Sequence, residues 1–94
     1  MLHISILYPE ESRQTVLIPE KGLLIGRSPY CDLYIEDEYV SARHCKIFYE
    51  QEELFIEDQN STNGTFVDGT QVKKSSLKEG QGIQIGITEM KIIV

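Results

Sequence analysis

The stretch Arg43-His44-Cys45-Lys46-Ile47-Phe48-Tyr49-Glu50-Gln51-Glu52-Glu53-Leu54-Phe55-Ile56-Glu57-Asp58 decides the fold class. Cys45, Ile47 and Tyr49 place apolar side chains on one face of an extended chain, while His44 and Lys46 point the other way. Leu54 and Ile56 repeat the pattern against Glu53 and Glu57, with Phe55 as an apolar exception on the outer face. A side-chain period of two is the geometry of a half-buried β-strand, because successive Cβ atoms leave opposite faces of the pleat.

The same period extends outward. Ile83, Ile85 and Ile87 alternate in this way, and no window of about eleven residues carries the i, i+3, i+4, i+7 stripe of an amphipathic helix. Strand candidates fall at residues 2–8, 14–18, 22–26, 33–35, 43–49, 53–58, 65–67, 71–73, 82–85 and 88–94. Pro9, Pro19 and Pro29 lie between candidates, and Asn63-Gly64 and Asp68-Gly69 are turn dipeptides that tolerate positive φ. The pattern predicts an all-β antiparallel sandwich of short strands. With no internal repeat, linker or low-complexity segment, residues 1–94 are expected to form one domain. Met1 suggests a natural start, and Val94 falls inside an apparent strand. Three gaps, residues 27–32, 36–42 and 59–64, are more polar and irregular than hairpins require, and loops of this kind on a rigid scaffold most often carry function.

Composition narrows that function. The chain has 94 residues, with 9 Lys and Arg against 15 Asp and Glu, for a net charge of −6. Nucleic acids and anionic membranes are held by lysines and arginines in quantity, so neither is an expected partner. A phosphate ligand would have to be captured by a local cation. A chain this short buries only about 60–65% of its unfolded surface, which suits a two-layer core better than a deep catalytic cleft. No apolar run exceeds four residues, and the first five residues lack the regions of a signal peptide, which predicts a cytoplasmic protein. Cys31 and Cys45 are too few for a disulfide framework and are read as reduced, packed thiols. Glu36-Asp37-Glu38 lacks the alternating oxygen ligands and central glycine of a calcium loop and is read as solvated. No metal and no cofactor is expected.

Three loop segments stand out in order: Gly26-Arg27-Ser28, then Val40-Ser41-Ala42-Arg43-His44, then Asp58-x-x-Ser61-Thr62-Asn63-Gly64-Thr65-Phe66-Val67-x-Gly69. With the spacer Cys31-Asp32-Leu33-Tyr34-Ile35, the stretch from Leu23 to Gly69 resembles a forkhead-associated (FHA) domain. The resemblance implies a sandwich of two antiparallel or mixed sheets with about eleven strands. Loops at one end would bind a phosphothreonine peptide in extended form, recruiting a partner protein in Ser/Thr-kinase signalling, without catalysis. The partner would be a phosphothreonine-containing protein such as such a kinase or its substrate.

By the same resemblance, Arg27 and Ser41 would hold phosphate oxygens, Thr62 would give a backbone or hydroxyl donor, and Asn63 would bind the peptide main chain. Tyr39 falls where family members often read the third residue after the phosphothreonine. Ala42 stands where they often carry Asn or Arg, so one peptide contact is expected to be missing. His44 would brace the loops, Gly26 would permit close backbone approach, and Gly64 would supply a positive φ. The Gly-Asp pair usual before the penultimate strand reads Gly80-Gln81 here. Elementary chemistry supports the main assignment: phosphothreonine carries about −1.5 to −2 charges and three strong acceptors, which match a guanidinium fork and short polar donors. Two other classes compete. One is a small hydrolase using Ser41 or Ser61 with His44 and Asp58, although no Gly-x-Ser-x-Gly elbow is present. The other is an interaction module of the same fold that ignores phosphate.

Overall fold

A computed structural model describes residues 1–94. The chain forms eleven strands: β1 (His3–Leu7), β2 (Arg13–Leu17), β3 (Leu23–Gly26), β4 (Leu33–Tyr34), β5 (Cys45–Glu50), β6 (Glu53–Asp58), β7 (Thr65–Val67), β8 (Thr70–Val72), β9 (Lys74–Leu77), β10 (Gly82–Ile85) and β11 (Thr88–Ile93). They build a six-stranded sheet in the order β2-β1-β11-β10-β7-β8 and a five-stranded sheet in the order β4-β3-β5-β6-β9. All pairs are antiparallel except β3 with β4, so the second sheet is mixed. No helix is long and apolar enough to cross a membrane.

The inward positions of the alternating strands meet in one apolar layer. Ile4 and Ile6 of β1, Ile25 of β3, Ile47 of β5, Ile56 of β6, Ile85 of β10 and Ile92 of β11 are fully buried. β-Branched side chains are stiff at χ1 and fit a pleated, half-buried surface. Each buried isoleucine contributes about 1.5–3 kcal/mol through lost water contact.

Three local readings change in the folded chain. Residues 74–77 form β9, a strand without a sequence signal. Lys74-Ser75-Ser76-Leu77 offers one buried apolar residue, and as an edge strand bonded only to β6 it needs no more. Ile87 does not continue the alternation of Ile83 and Ile85: the chain turns at Gly86 (φ 57°), leaving Ile87 exposed between β10 and β11. His44 precedes β5 and is fully buried, so it does not share an outer face with Lys46. The turn chemistry holds where Asp68 and Gly69 both take positive φ and Val67 pairs with Thr70, a two-residue hairpin. Gln81 fills the turn before β10 by accepting from the Lys78 N–H (2.8 Å) and donating to Asp68 (3.2 Å).

Topology then brings the three polar loops together. β3 ends at Gly26, β5 starts at Cys45 and β6 ends at Asp58, and the pairs Ile25↔Cys45 and Cys45↔Asp58 put these ends side by side. Across the sandwich, Ile85 pairs with both Thr65 and Thr88, so the β6–β7 loop and the β10–β11 turn share that end. Ile56→Ala is expected to lower stability by about 2–5 kcal/mol, seen as a lower urea midpoint at unchanged slope. Ile87→Ala is expected to stay within about 0.5 kcal/mol of wild type.

Candidate functional site

The loops carry few ladder bonds of their own, and a buried imidazole joins them. The Ser41 N–H donates to Nδ1 of His44 (3.0 Å), so Nδ1 carries no proton, and Nε2–H donates to the Gly64 carbonyl (2.8 Å). The His44 backbone adds bonds to the Ile25 carbonyl (2.9 Å) and from the Gln59 N–H (2.8 Å). Beside it, the Arg27 N–H donates to the Ser41 carbonyl (2.9 Å) and the Ser28 N–H to the Ala42 carbonyl (3.1 Å). This approach requires Gly26, because a Cβ there would lie 2.2 Å from the Ala42 oxygen. Gly64 has φ +91°, and a Cβ there would press on the Gln71 amide at 2.6 Å.

The polar side chains are thereby arrayed at the surface. Ser41 Oγ accepts from the Thr62 N–H (3.0 Å), which leaves its proton to donate elsewhere. Asn63 Nδ2 donates to the Tyr39 carbonyl (2.8 Å), which leaves Oδ1 as an acceptor facing out. Thr62 keeps its hydroxyl, its N–H being used by Ser41. Arg27 is exposed and pairs with no carboxylate, the ion pairs of the chain being Lys46–Glu57 and Lys74–Glu50. Arg27 borders a groove of ≈ 530 Å³ together with Ser28, Tyr34, Glu36, Asp37, Glu38 and Ala42. Tyr39 (49% exposed) and Ala42 lie at the surface of the same loop. The structure therefore gathers Gly26, Arg27, Tyr39, Ser41, Ala42, His44, Thr62, Asn63 and Gly64 at one end of the sandwich.

Two carboxylates hold this end in a role that the sequence reading did not give them. Asp37 is not solvated: it is 4% exposed and accepts from the Tyr39 N–H (2.9 Å), the Ile87 N–H (2.8 Å) and the Thr88 hydroxyl (2.8 Å). It pins the loop carrying Ser41 to the opposite sheet, and a Cβ on Gly86 would lie 2.6 Å from it. Asp58 accepts from the Ser61 hydroxyl (2.5 Å), the Ser61 N–H (3.1 Å) and the Thr65 hydroxyl (2.7 Å), and Ser61 Oγ in turn accepts from the Gly64 N–H (3.0 Å). An Asp three residues before a Ser at a loop start was the available signal for that turn. Burial pushes the Asp58 carboxyl up, but the hydrogen bonds from Ser61 and Thr65 outweigh it and hold the group below its ordinary 3.8. Burial pushes the Cys45 thiol far up, in keeping with an inert core cysteine.

The FHA-domain profile matches residues 23–86, which cover all of these loops. The chain belongs to the FHA family. It is 32% identical over 78 residues to the FHA domain-containing protein FhaB of Mycobacterium tuberculosis, covering 82% of this chain and 50% of that protein. It is 38% identical over 61 residues to the glycogen accumulation regulator GarA of Mycobacterium tuberculosis, covering 65% of this chain and 38% of that protein. The chain thus spans half or less of these curated relatives. Among solved structures, the FhaA FHA domain complexed with the intracellular domain of Rv3910 matches with TM-score 0.84 and 29% identity, over 95% of this chain and 98% of the other. An FHA domain solved in a study of phosphothreonine-dependent FHA interactions matches with TM-score 0.87 and 28% identity, over 98% of this chain and 96% of the other.

Asp37→Asn is expected to cost about 1–3 kcal/mol, because at least one buried partner loses its acceptor, and to speed amide exchange at Tyr39 and Ile87. Asp58 adds stability that is fully present above its unfolded value near 3.8 and is lost as pH falls through the lower folded value. The stability gap between wild type and Asp58→Asn should therefore be widest near neutrality and shrink in acid, as urea titrations at several pH values would show.

Proposed function

We propose that this end of the FHA domain, the fold of residues 1–94, binds phosphothreonine in a partner protein and recruits it in Ser/Thr-kinase signalling in the cytoplasm. The observation that supports the reading is Arg27, free of any ion pair, on a loop whose backbone bonds to Ser41, with Ser41 in turn bonded to Thr62 and Asn63 to Tyr39. Arg27 and Ser41 grip phosphate oxygens, Thr62 adds a hydroxyl donor, and Asn63 Oδ1 accepts from the main chain of the peptide. Tyr39 and the small Ala42 shape the contact beside it.

The magnitudes fit a switch. Hydrogen bonds to a charged group contribute about 1.5–3 kcal/mol each. Two or three of them make up much of a micromolar affinity, near −8 kcal/mol. The phosphothreonine-dependent interactions of a structural relative and the FhaA complex with an intracellular domain support the same direction.

Catalysis finds no footing in the hydrogen-bond pattern. Both ring nitrogens of His44 are taken by backbone groups, and the Ser61 hydroxyl donates to Asp58, so no hydroxyl is paired with an imidazole base. Free, buried Cys31 and Cys45 suit a reducing compartment.

Calorimetry with one threonine peptide, phosphorylated and unphosphorylated, tests the reading. Wild type should bind only the phosphorylated form, and Arg27→Ala should weaken that binding about 10- to 100-fold. Equal binding of the two peptides would leave a phosphate-independent module, and equal binding by the two proteins would remove Arg27 from the site.

A further inference from the structure

The charges around the binding loops are segregated. The groove beside Arg27 is bordered by Glu36, Asp37 and Glu38. A second groove of ≈ 220 Å³ shares no residue with it and is bordered by Lys21, Arg43 and Lys46, with Asp32, Phe48 and Gln59. Three of the nine basic residues of a chain with net charge −6 therefore gather at one small depression.

The opposing charges there are already engaged. The Asp32 carboxylate accepts from the Leu24 N–H (2.8 Å), and Lys21 and Arg43 have no ion-pair partner. Lys46 reaches Glu57 (3.3 Å) and lies over the Phe48 ring, 5.1 Å from its centroid, which holds the ammonium at the groove. The groove is also continuous with the loop end. Asp32 closes the loop that begins at Arg27, Arg43 lies between Ser41 and β5, and the Gln59 N–H is bonded to the His44 carbonyl. From there the depression runs onto the outer face of the five-stranded sheet through Leu24 and Phe48.

Resting on the phosphothreonine reading, we propose that this groove receives an acidic segment of the same partner chain, to one side of the phosphothreonine. Lys21, Arg43 and Lys46 offer cationic donors without a matching set of free carboxylates, whereas the groove beside Arg27 repels such a segment. The occupant is thus an Asp- or Glu-rich run, and its placement fixes the direction in which the peptide crosses the loops.

Four phosphothreonine peptides with one common core test this, carrying three Glu or three Gln either before or after the phosphothreonine. In one placement the Glu peptide should bind about fivefold more tightly than its Gln counterpart, and the gain should fall as salt rises. Lys21→Gln/Lys46→Gln should erase that gain while binding the Gln peptides like wild type, which also shows that the variant is folded. Equal binding of Glu and Gln peptides in both placements, or a gain that survives the double substitution, overturns the acidic-segment proposal alone. A Gln peptide that binds equally with and without its phosphate overturns the phosphothreonine reading, and this proposal with it.

Discussion

One neutral imidazole holds the working end of this molecule together. His44 is fully buried, and its ring accepts from the Ser41 N–H and donates to the Gly64 carbonyl. Neither backbone group has a strand partner at that point, and leaving either unpaired in the interior costs about 1–3 kcal/mol. Because Nδ1 must accept and Nε2 must donate, the tautomer is set by its surroundings and the ring orientation with it. Ser41 is then placed to receive the Thr62 N–H, and the β4–β5 loop and the β6–β7 loop become one surface. Asp37 and Asp58 repeat the device with carboxylates, each drawing three donors inward. The rigidity of the end therefore comes from a few side chains that substitute for a missing ladder.

That division explains what could be read along the chain. Cys45, Ile47, Leu54 and Ile56 alternate because each strand buries one face, so their neighbours in sequence are enough to reveal them. Arg27, Ser41, Thr62 and Asn63 were singled out through the family resemblance, and hydrogen bonds link the loops that carry them. Asp37 was not, because its flanks, Glu36 and Glu38, are exposed acids, while its partners Ile87 and Thr88 lie about fifty positions away. β9 was silent for a different reason: an edge strand satisfied by one neighbour can be built from Lys, Ser and Ser. Ile87 looked like core because period two says nothing of where a chain turns, and Gly86 turns it one residue earlier.

The net charge acquires a sharper meaning in the folded chain. Acidic residues are not spread as a uniform coat: Asp37 and Asp58 serve as internal acceptors, and Glu57 and Glu50 make surface pairs with Lys46 and Lys74. Arg27 is left without a carboxylate in a protein that has carboxylates to spare. An unneutralised guanidinium on an anionic body discriminates by geometry, since net repulsion disfavours a polyanion that lacks a matching local placement.

β1 and β11 are neighbours, with His3 opposite Ile93, and Met1 lies near Gln51 and Glu52 at the far hairpin of β5 and β6. Cys45, at the other end of β5, adjoins the loops. Residues 1 and 94 thus sit together at the pole away from the three polar loops. Anything attached at either point would carry the domain like a socket on a cable, its opening turned outward. The same adjacency suits circular permutation, since a short bridge between the two ends would cross none of the loops.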